Sequence, residues 1–189
     1  LIFNLGTSWW IWNASAGGAI FAFLFNAVVM SIAFQAFHIT RKHVGSKQGY
    51  LSLPFYWLGF EYLHNHWEFA HPWLSLGNTF SERVGWIQWY EYTGVTGGSL
   101  WVIIVNLIGY IIYRNWKQKK SLKRSIFVYA ASIIIPIAVS LSIKISFNGS
   151  LKDLSERKQV ETLIIQPNID PYNDKFDRGS FYEKKKKIL

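Results

Sequence analysis

The sequence predicts an all-α polytopic membrane bundle, followed by the first strand, loop and helix of an α/β domain. Three observations carry this. Half of the 189 residues are hydrophobic and only 16% are charged, against about a quarter charged in an average soluble domain. Residues 1–40 hold no Asp, Glu, Lys or Arg, and the basic residues gather in two short clusters, Arg41 to Lys47 and Arg114 to Arg124. Beyond Phe147 the composition turns polar, and a β-branched run appears at Val160 to Gln166.

The elements follow in order. Residues 1–16 carry Trp9, Trp10 and Trp12 without a charge, which reads as an interfacial aromatic belt. A membrane span needs about 20 mostly apolar residues. Residues 17–39 meet that length, broken only by Asn26, Ser31, Gln35 and His38. A second span is placed at 51–67, weakened by Pro54 and Glu61 and dependent on the helix continuing toward Trp67. A third is placed at 98–113. A fourth, 125–147, contains Pro136 and a Lys144 near enough to one end to snorkel.

Arg41 to Lys47 and Arg114 to Arg124 are separated by two spans, so both can face the cytoplasm. The loop from about His64 to Gly97 and the tail after Phe147 then face outward. The net charge of +9 is therefore topological, and its placement between apolar segments argues against nucleic acid as a partner. Residues 148–159 read as a linker. Residues 160–189 read as the start of an α/β domain: a strand, a turn at Asp170 to Asp174, and a helix opening after Gly179. With Leu1 first and an unfinished charged run last, a piece of a longer protein is expected.

Chemistry-bearing residues are few. With no cysteine in these 189 residues, disulfides, thiolate metal sites and a cysteine nucleophile are excluded from this stretch. His64, His66, Glu68 and His71 in principle offer ligands for zinc or iron, but no two of the histidines fall at i, i+4 on one helical face, and structural histidines are the preferred reading. No metal and no cofactor is expected. Pro72 and Gly77 bracket a tight excursion that places Trp73 at the headgroup region. Glu61 and Glu91 lie in or beside apolar segments, where an acid is either functional or hydrogen-bonded to a neighbouring helix.

Glu61-Tyr62-Leu63, the Pro72-Trp73-Leu74-Ser75-Leu76-Gly77-Asn78 turn, the approach from Gln88-Trp89 to Gly98, and Ile165-Gln166-Pro167-Asn168-Ile169 occur in one order. Together they resemble apolipoprotein N-acyltransferases. Gln-Pro-Asn-Ile-Asp-Pro with Lys175-Phe176 resembles the Bacteroidetes-like form of the family. The resemblance implies a multi-pass protein of the bacterial inner membrane carrying a periplasmic nitrilase-like α-β-β-α domain. It also implies a phospholipid acyl donor and a diacylglyceryl-modified apolipoprotein acceptor. Transfer in the family runs through a thioester on a cysteine, with a glutamate base and a lysine at the oxyanion. A thiolate nucleophile and a cation facing the tetrahedral intermediate suit that chemistry.

This chain departs from the family by holding no cysteine, and neither Glu183 nor Lys184 to Lys187 matches a motif position, so no catalytic residue is expected in it. By resemblance Trp73 and Phe176 are candidate walls of the lipid or lipoprotein cleft, and Glu91 is a further lipid-contact candidate. Gln166 and Asn168 are expected to fix a loop by hydrogen bonds, and Glu61 and Asn78 to serve packing. Alternatives are another membrane-tethered nitrilase-superfamily amidase or acyltransferase, or a non-enzymatic membrane module such as a transporter subunit. The few polar residues within the spans are thin for a pore.

Overall fold

A short helix α1 (Ile2–Ser8) and a 3-10 turn over Trp9–Asn13 lead into α2 (Ala16–Val44). The structure is a computed structural model and describes residues 1–154 and 163–164. Ser15 caps α2, its hydroxyl accepting from Gly18 N at 3.1 Å, which satisfies one of the free N–H groups of the first turn. The helix runs five residues past the apolar stretch, ending on Arg41, Lys42 and His43, where cations oppose the negative end of the helix dipole.

Gly45, at φ 86°, reverses the chain in a single residue, a conformation that costs glycine no Cβ clash. The next helix, α3 (Ser46–His64), then returns along α2. Ring pairs show the antiparallel register: Phe37 with Tyr50 at 6.3 Å, Phe34 with Trp57 at 5.0 Å, and Phe25 with Trp67 at 5.5 Å. At 19 residues, α3 spans about 28 Å.

An irregular segment follows, with 3-10 turns over Pro72–Leu74 and Leu76–Trp86. Helix α4 (Tyr90–Lys117) carries a break at Gly94 (φ 63°, ψ −172°). Helix α5 (Lys123–Leu154) packs back on it, with Trp101 Nε1 donating to the Ser132 carbonyl at 2.7 Å and Asn115 Nδ2 to Ser125 Oγ at 3.2 Å.

Among the described residues three helices are long and apolar enough to cross a membrane: Ala16–Val44, Tyr90–Lys117 and Lys123–Phe147. The second expected span, 51–67, differs from this in two ways. Its helix begins earlier, at Ser46, and closes at His64. Asn65 N bonds back to the Glu61 carbonyl and the chain leaves in a turn, so the continuation to Trp67 does not form. It also falls outside the membrane-capable set, because Pro54, Glu61 and the polar first turn dilute its apolar content.

The expected spans 98–113 and 125–147 are the centres of longer helices. The aromatic approach before Gly98 joins α4, and α5 continues to Leu154 into the expected linker, since no proline interrupts it before Pro167. Of the expected strand, Leu163 and Ile164 are described and lie outside any strand. The rest of that strand, the turn and the helix after it lie outside the described residues.

Few apolar side chains are buried among the described residues; Ala33, Trp57 and Ile103 form one cluster, flanked by Met30, Leu53, Phe60, Leu76 and Leu107. Large apolar side chains face outward instead, Phe55 at 78% exposed, Phe127 at 74% and Ile145 at 73%. In water such surfaces would cost about 25 cal/mol per Å². Against lipid they cost nothing, and close packing holds the helices together.

The two ends of the bundle differ in chemistry. At one end Tyr50 of α3 stands between Arg41 of α2 and Arg114 of α4, whose guanidinium carbons lie 5.4 and 5.9 Å from its ring centre. Both basic clusters therefore share that end. The irregular segment and the tryptophans of residues 9–12 lie at the other.

Candidate functional site

The segment between α3 and α4 is held down by one buried polar side chain from each of three helices. Glu61, 6% exposed, accepts at Oε1 from Trp57 Nε1 at 2.9 Å and from Leu76 N at 2.8 Å. The first bond runs along α3 and the second reaches across to the segment, so one carboxylate oxygen ties the segment to the core tryptophan. Ser99 of α4, fully buried, accepts from Gly77 N at 2.9 Å. Ser140 of α5, also fully buried, accepts from Gln88 N and donates to the Gly85 carbonyl at 3.0 Å.

Tyr90 adds a fourth tie, its hydroxyl donating to the Gly77 carbonyl at 2.9 Å. Gly77 thus has both backbone groups bonded, and it lies so close to α4 that a Cβ there would meet the Val95 carbonyl. Without these partners each buried N–H or C=O would cost about 1–3 kcal/mol.

The turn itself is closed by Asn78, whose Nδ2 donates to the Pro72 carbonyl at 2.8 Å. Asn65 Nδ2 donates to Ser75 Oγ at 3.3 Å, joining the end of α3 to the same turn. With Leu74 and Ser75 buried, the turn pushes Trp73 out. Its ring is 66% exposed and meets Trp10 edge-on at 6.1 Å. Trp9, Trp12 and Trp67 are exposed at this end as well, a set of indoles of the kind that sits at a membrane–water boundary.

The histidines do not converge. Trp67 Nε1 donates to His64 Nδ1 at 3.1 Å, His66 Nδ1 lies 2.6 Å from the Tyr62 carbonyl, and His71 Nε2 lies 3.3 Å from Ser8 Oγ. Among the described residues no three of His, Asp and Glu are grouped to hold a metal. Burial holds the His71 imidazole below the usual histidine range, since a charged ring loses its hydration there.

Beneath the clamped segment an apolar cavity of about 640 Å³ runs between α1, α2, α3 and α4. Leu76 and Asn4 line its outer end, Phe34 and Trp57 its middle, and Arg41, Tyr50 and Tyr110 its basic end.

Of the residues singled out from sequence, Glu61, Trp73 and Asn78 belong to this one assembly. Glu91 is exposed in the first turn of α4, before the break at Gly94, and stands apart from the cavity. Phe176, Gln166 and Asn168 lie outside the described residues. Ser99 and Ser140 were missed as anchors. Their one signal is a small polar residue inside an apolar helix, which several other serines here share.

Residues 1–108 match the family model described as the apolipoprotein N-acyltransferase N-terminal domain. Two curated relatives bear the name apolipoprotein N-acyltransferase. The one from Chlorobaculum tepidum is 25% identical over 177 residues, covering 94% of this chain and 32% of that protein. The one from Geobacter metallireducens is 26% identical over 173 residues, covering 91% of this chain and 32% of that protein. The chain therefore spans about a third of the length of these relatives. No solved structure matches it significantly. On the match over residues 1–108, the chain belongs to the apolipoprotein N-acyltransferase N-terminal domain family.

Proposed function

We propose that this chain is the membrane part of an apolipoprotein N-acyltransferase of the bacterial inner membrane. The enzyme would move an acyl chain from a phospholipid to the N-terminal amine of a diacylglyceryl-cysteine, through a thioester on a cysteine outside these residues. The family match over residues 1–108 carries this reading. The three membrane-capable helices fit it, as does a clamped outer segment that presents Trp73 toward the lipid boundary.

In this reading the bundle positions and the absent domain reacts. Trp73 is the residue of this chain placed to guide lipid or lipoprotein at the outer surface, with Phe176 a second wall residue and Glu91 a polar neighbour of the same boundary. Glu61 and Asn78 hold the segment in place, and Gln166 and Asn168 fix the loop after the first strand of a periplasmic nitrilase-like domain over residues 160–189. Residues 1–147 form the transmembrane domain, and residues 148–159 the passage between the two.

The test is Trp73→Ala in the full-length enzyme. Because the ring is two-thirds exposed, removing it should leave the amount of folded protein near wild type while acyl transfer to a lipoprotein acceptor falls about tenfold, the equivalent of about 1.4 kcal/mol. A parallel loss of protein and activity would assign Trp73 to packing. Full activity would remove it from the lipid path.

A further inference from the structure

We propose that the basic end of the bundle is a binding site for one anionic phospholipid, its phosphodiester held by Arg41, Arg114 and the Tyr50–Tyr110 pair, and one acyl chain lying in the apolar cavity. The site is at the opposite end from the clamped segment and is independent of the acyl-transfer reading.

Four observations build it. Arg41 and Arg114 come from different helices yet both guanidinium groups lie within 6 Å of the Tyr50 ring centre, at 5.4 and 5.9 Å. Two like charges held against one ring repel each other, and no carboxylate among the described residues is paired with them. Residues 1–60 contain no Asp or Glu, nor do residues 92–152, and Glu61 and Glu91 sit at the far ends of α3 and α4. An anion from outside these helices would offset both charges.

Donors point to where it would sit. Arg41 Nη1 donates to Tyr50 OH over a long 3.4 Å, and Tyr50 OH donates to Tyr110 OH at 3.3 Å. The Tyr110 hydroxyl hydrogen is left to offer to a ligand. Arg114 Nε is buried with no hydrogen-bond partner among the described residues, an arrangement that costs about 1–3 kcal/mol, more for a charged group, until an acceptor arrives. Guanidinium and phosphate match in geometry and charge.

The cavity explains why the anion should be a lipid. Arg41, Tyr50 and Tyr110 line one end of it, and Leu76, held by Glu61, lines the other. From Tyr50 to Glu61 α3 rises about 16 Å, close to half the ~30 Å hydrocarbon core. A slot one leaflet deep, mostly apolar with Asn4, Ser31 and Asn106 on its wall and cationic at its mouth, has the shape and polarity of one phospholipid chain under its phosphate. Basic pockets between membrane helices take anionic headgroups in this way.

The experiment uses the full-length protein, delipidated in detergent, with thermal unfolding read against added lipid. Phosphatidylglycerol should raise the melting temperature saturably, and phosphatidylcholine and inorganic phosphate should each do much less. In Arg41→Gln/Arg114→Gln the phosphatidylglycerol affinity should fall roughly tenfold or more, the worth of a charge-assisted hydrogen bond. Tyr110→Phe keeps the ring and the packing and should weaken it severalfold, which covers the case of a double variant that fails to fold. Ala27→Phe, on the cavity wall, should lower the affinity with both arginines in place.

An equal response to phosphatidylcholine would overturn the phosphate contact, and a full response to inorganic phosphate would overturn the acyl slot. An undiminished phosphatidylglycerol response in both Tyr110→Phe and Ala27→Phe would place any bound lipid elsewhere, such as at the outer surface where the donor is expected. A loss of acyl transfer in Trp73→Ala has no bearing on any of these outcomes.

Discussion

Glu61 shows how one side chain sets the cost of a substitution. Both of its hydrogen bonds fall on a single oxygen, one from Trp57 Nε1 and one from Leu76 N. Glu61→Gln retains an amide oxygen that can accept both, so its effect on stability should be small. Glu61→Ala leaves two donors without an acceptor and should cost about 2–6 kcal/mol, from about 1–3 for each orphaned group. Thermal unfolding in detergent compares the two, and equal losses would contradict the paired-acceptor geometry. His71 makes a pH-dependent contribution. Its folded value is lowered by burial, so the fold favours the neutral ring that faces Ser8 Oγ. The associated stability is complete above the unfolded value near 6.5 and is lost as the pH falls through the lowered folded value. The melting temperature should therefore drop on going from pH 8 to pH 5, and His71→Gln should flatten that dependence. An unchanged slope in the variant would show that another group titrates.

At the scale of elements, close backbone approach makes one glycine indispensable and leaves another free to change. A Cβ on Gly77 would collide with the Val95 carbonyl, which no rotamer can relieve, so Gly77→Ala should push the segment off α4 at a cost of about 1–3 kcal/mol. Gly59, in the middle of α3, has nothing within 4 Å of a Cβ, and Gly59→Ala should stabilise the helix by about 0.5–1 kcal/mol. Melting curves of the two variants should move in opposite directions; a shift of both the same way would contradict the packing of the segment on α4. The centres of α2, α4 and α5 were legible as apolar runs because lipid selects for exactly the feature a sequence displays along its length. Their ends were not, because Arg41 to Val44 and, around the break at Gly94, Tyr90 to Gly97 join their helices by backbone bonding that apolar content does not report. The site divides in the same way. An acid in an apolar run drew notice to Glu61. Ser99 and Ser140 bond to a segment 22 and 52 residues away, a pairing that only the folded topology brings about.

For the whole molecule, the asymmetry between its two ends carries the largest consequence. Arg41 and Arg114 stand at the same end with Tyr50 between them, and Asn115 bonds to Ser125 there, so the turn between α4 and α5 belongs to that end too. The clamped segment with its exposed tryptophans lies at the other. Basic loops next to spans are retained in the cytoplasm, and indoles settle at the boundary, so we propose the orientation that satisfies both, with residues 118–122 inside and residues 65–89 outside. In that orientation α3, which returns the chain from the basic end to the opposite segment, would cross the same depth as α2, even though its own apolar content is lower. Single cysteines can test this directly, since the chain supplies none of its own. Glu68→Cys, on an exposed part of the outer segment, should react with a membrane-impermeant maleimide in intact cells. Gln118→Cys, in the turn after α4, should react only once the cells are permeabilised. The reverse pattern would invert the bundle. Labelling of both positions in intact cells would mean that α4 does not carry the chain across between them, and a two-ended molecule of this kind could not then span the bilayer.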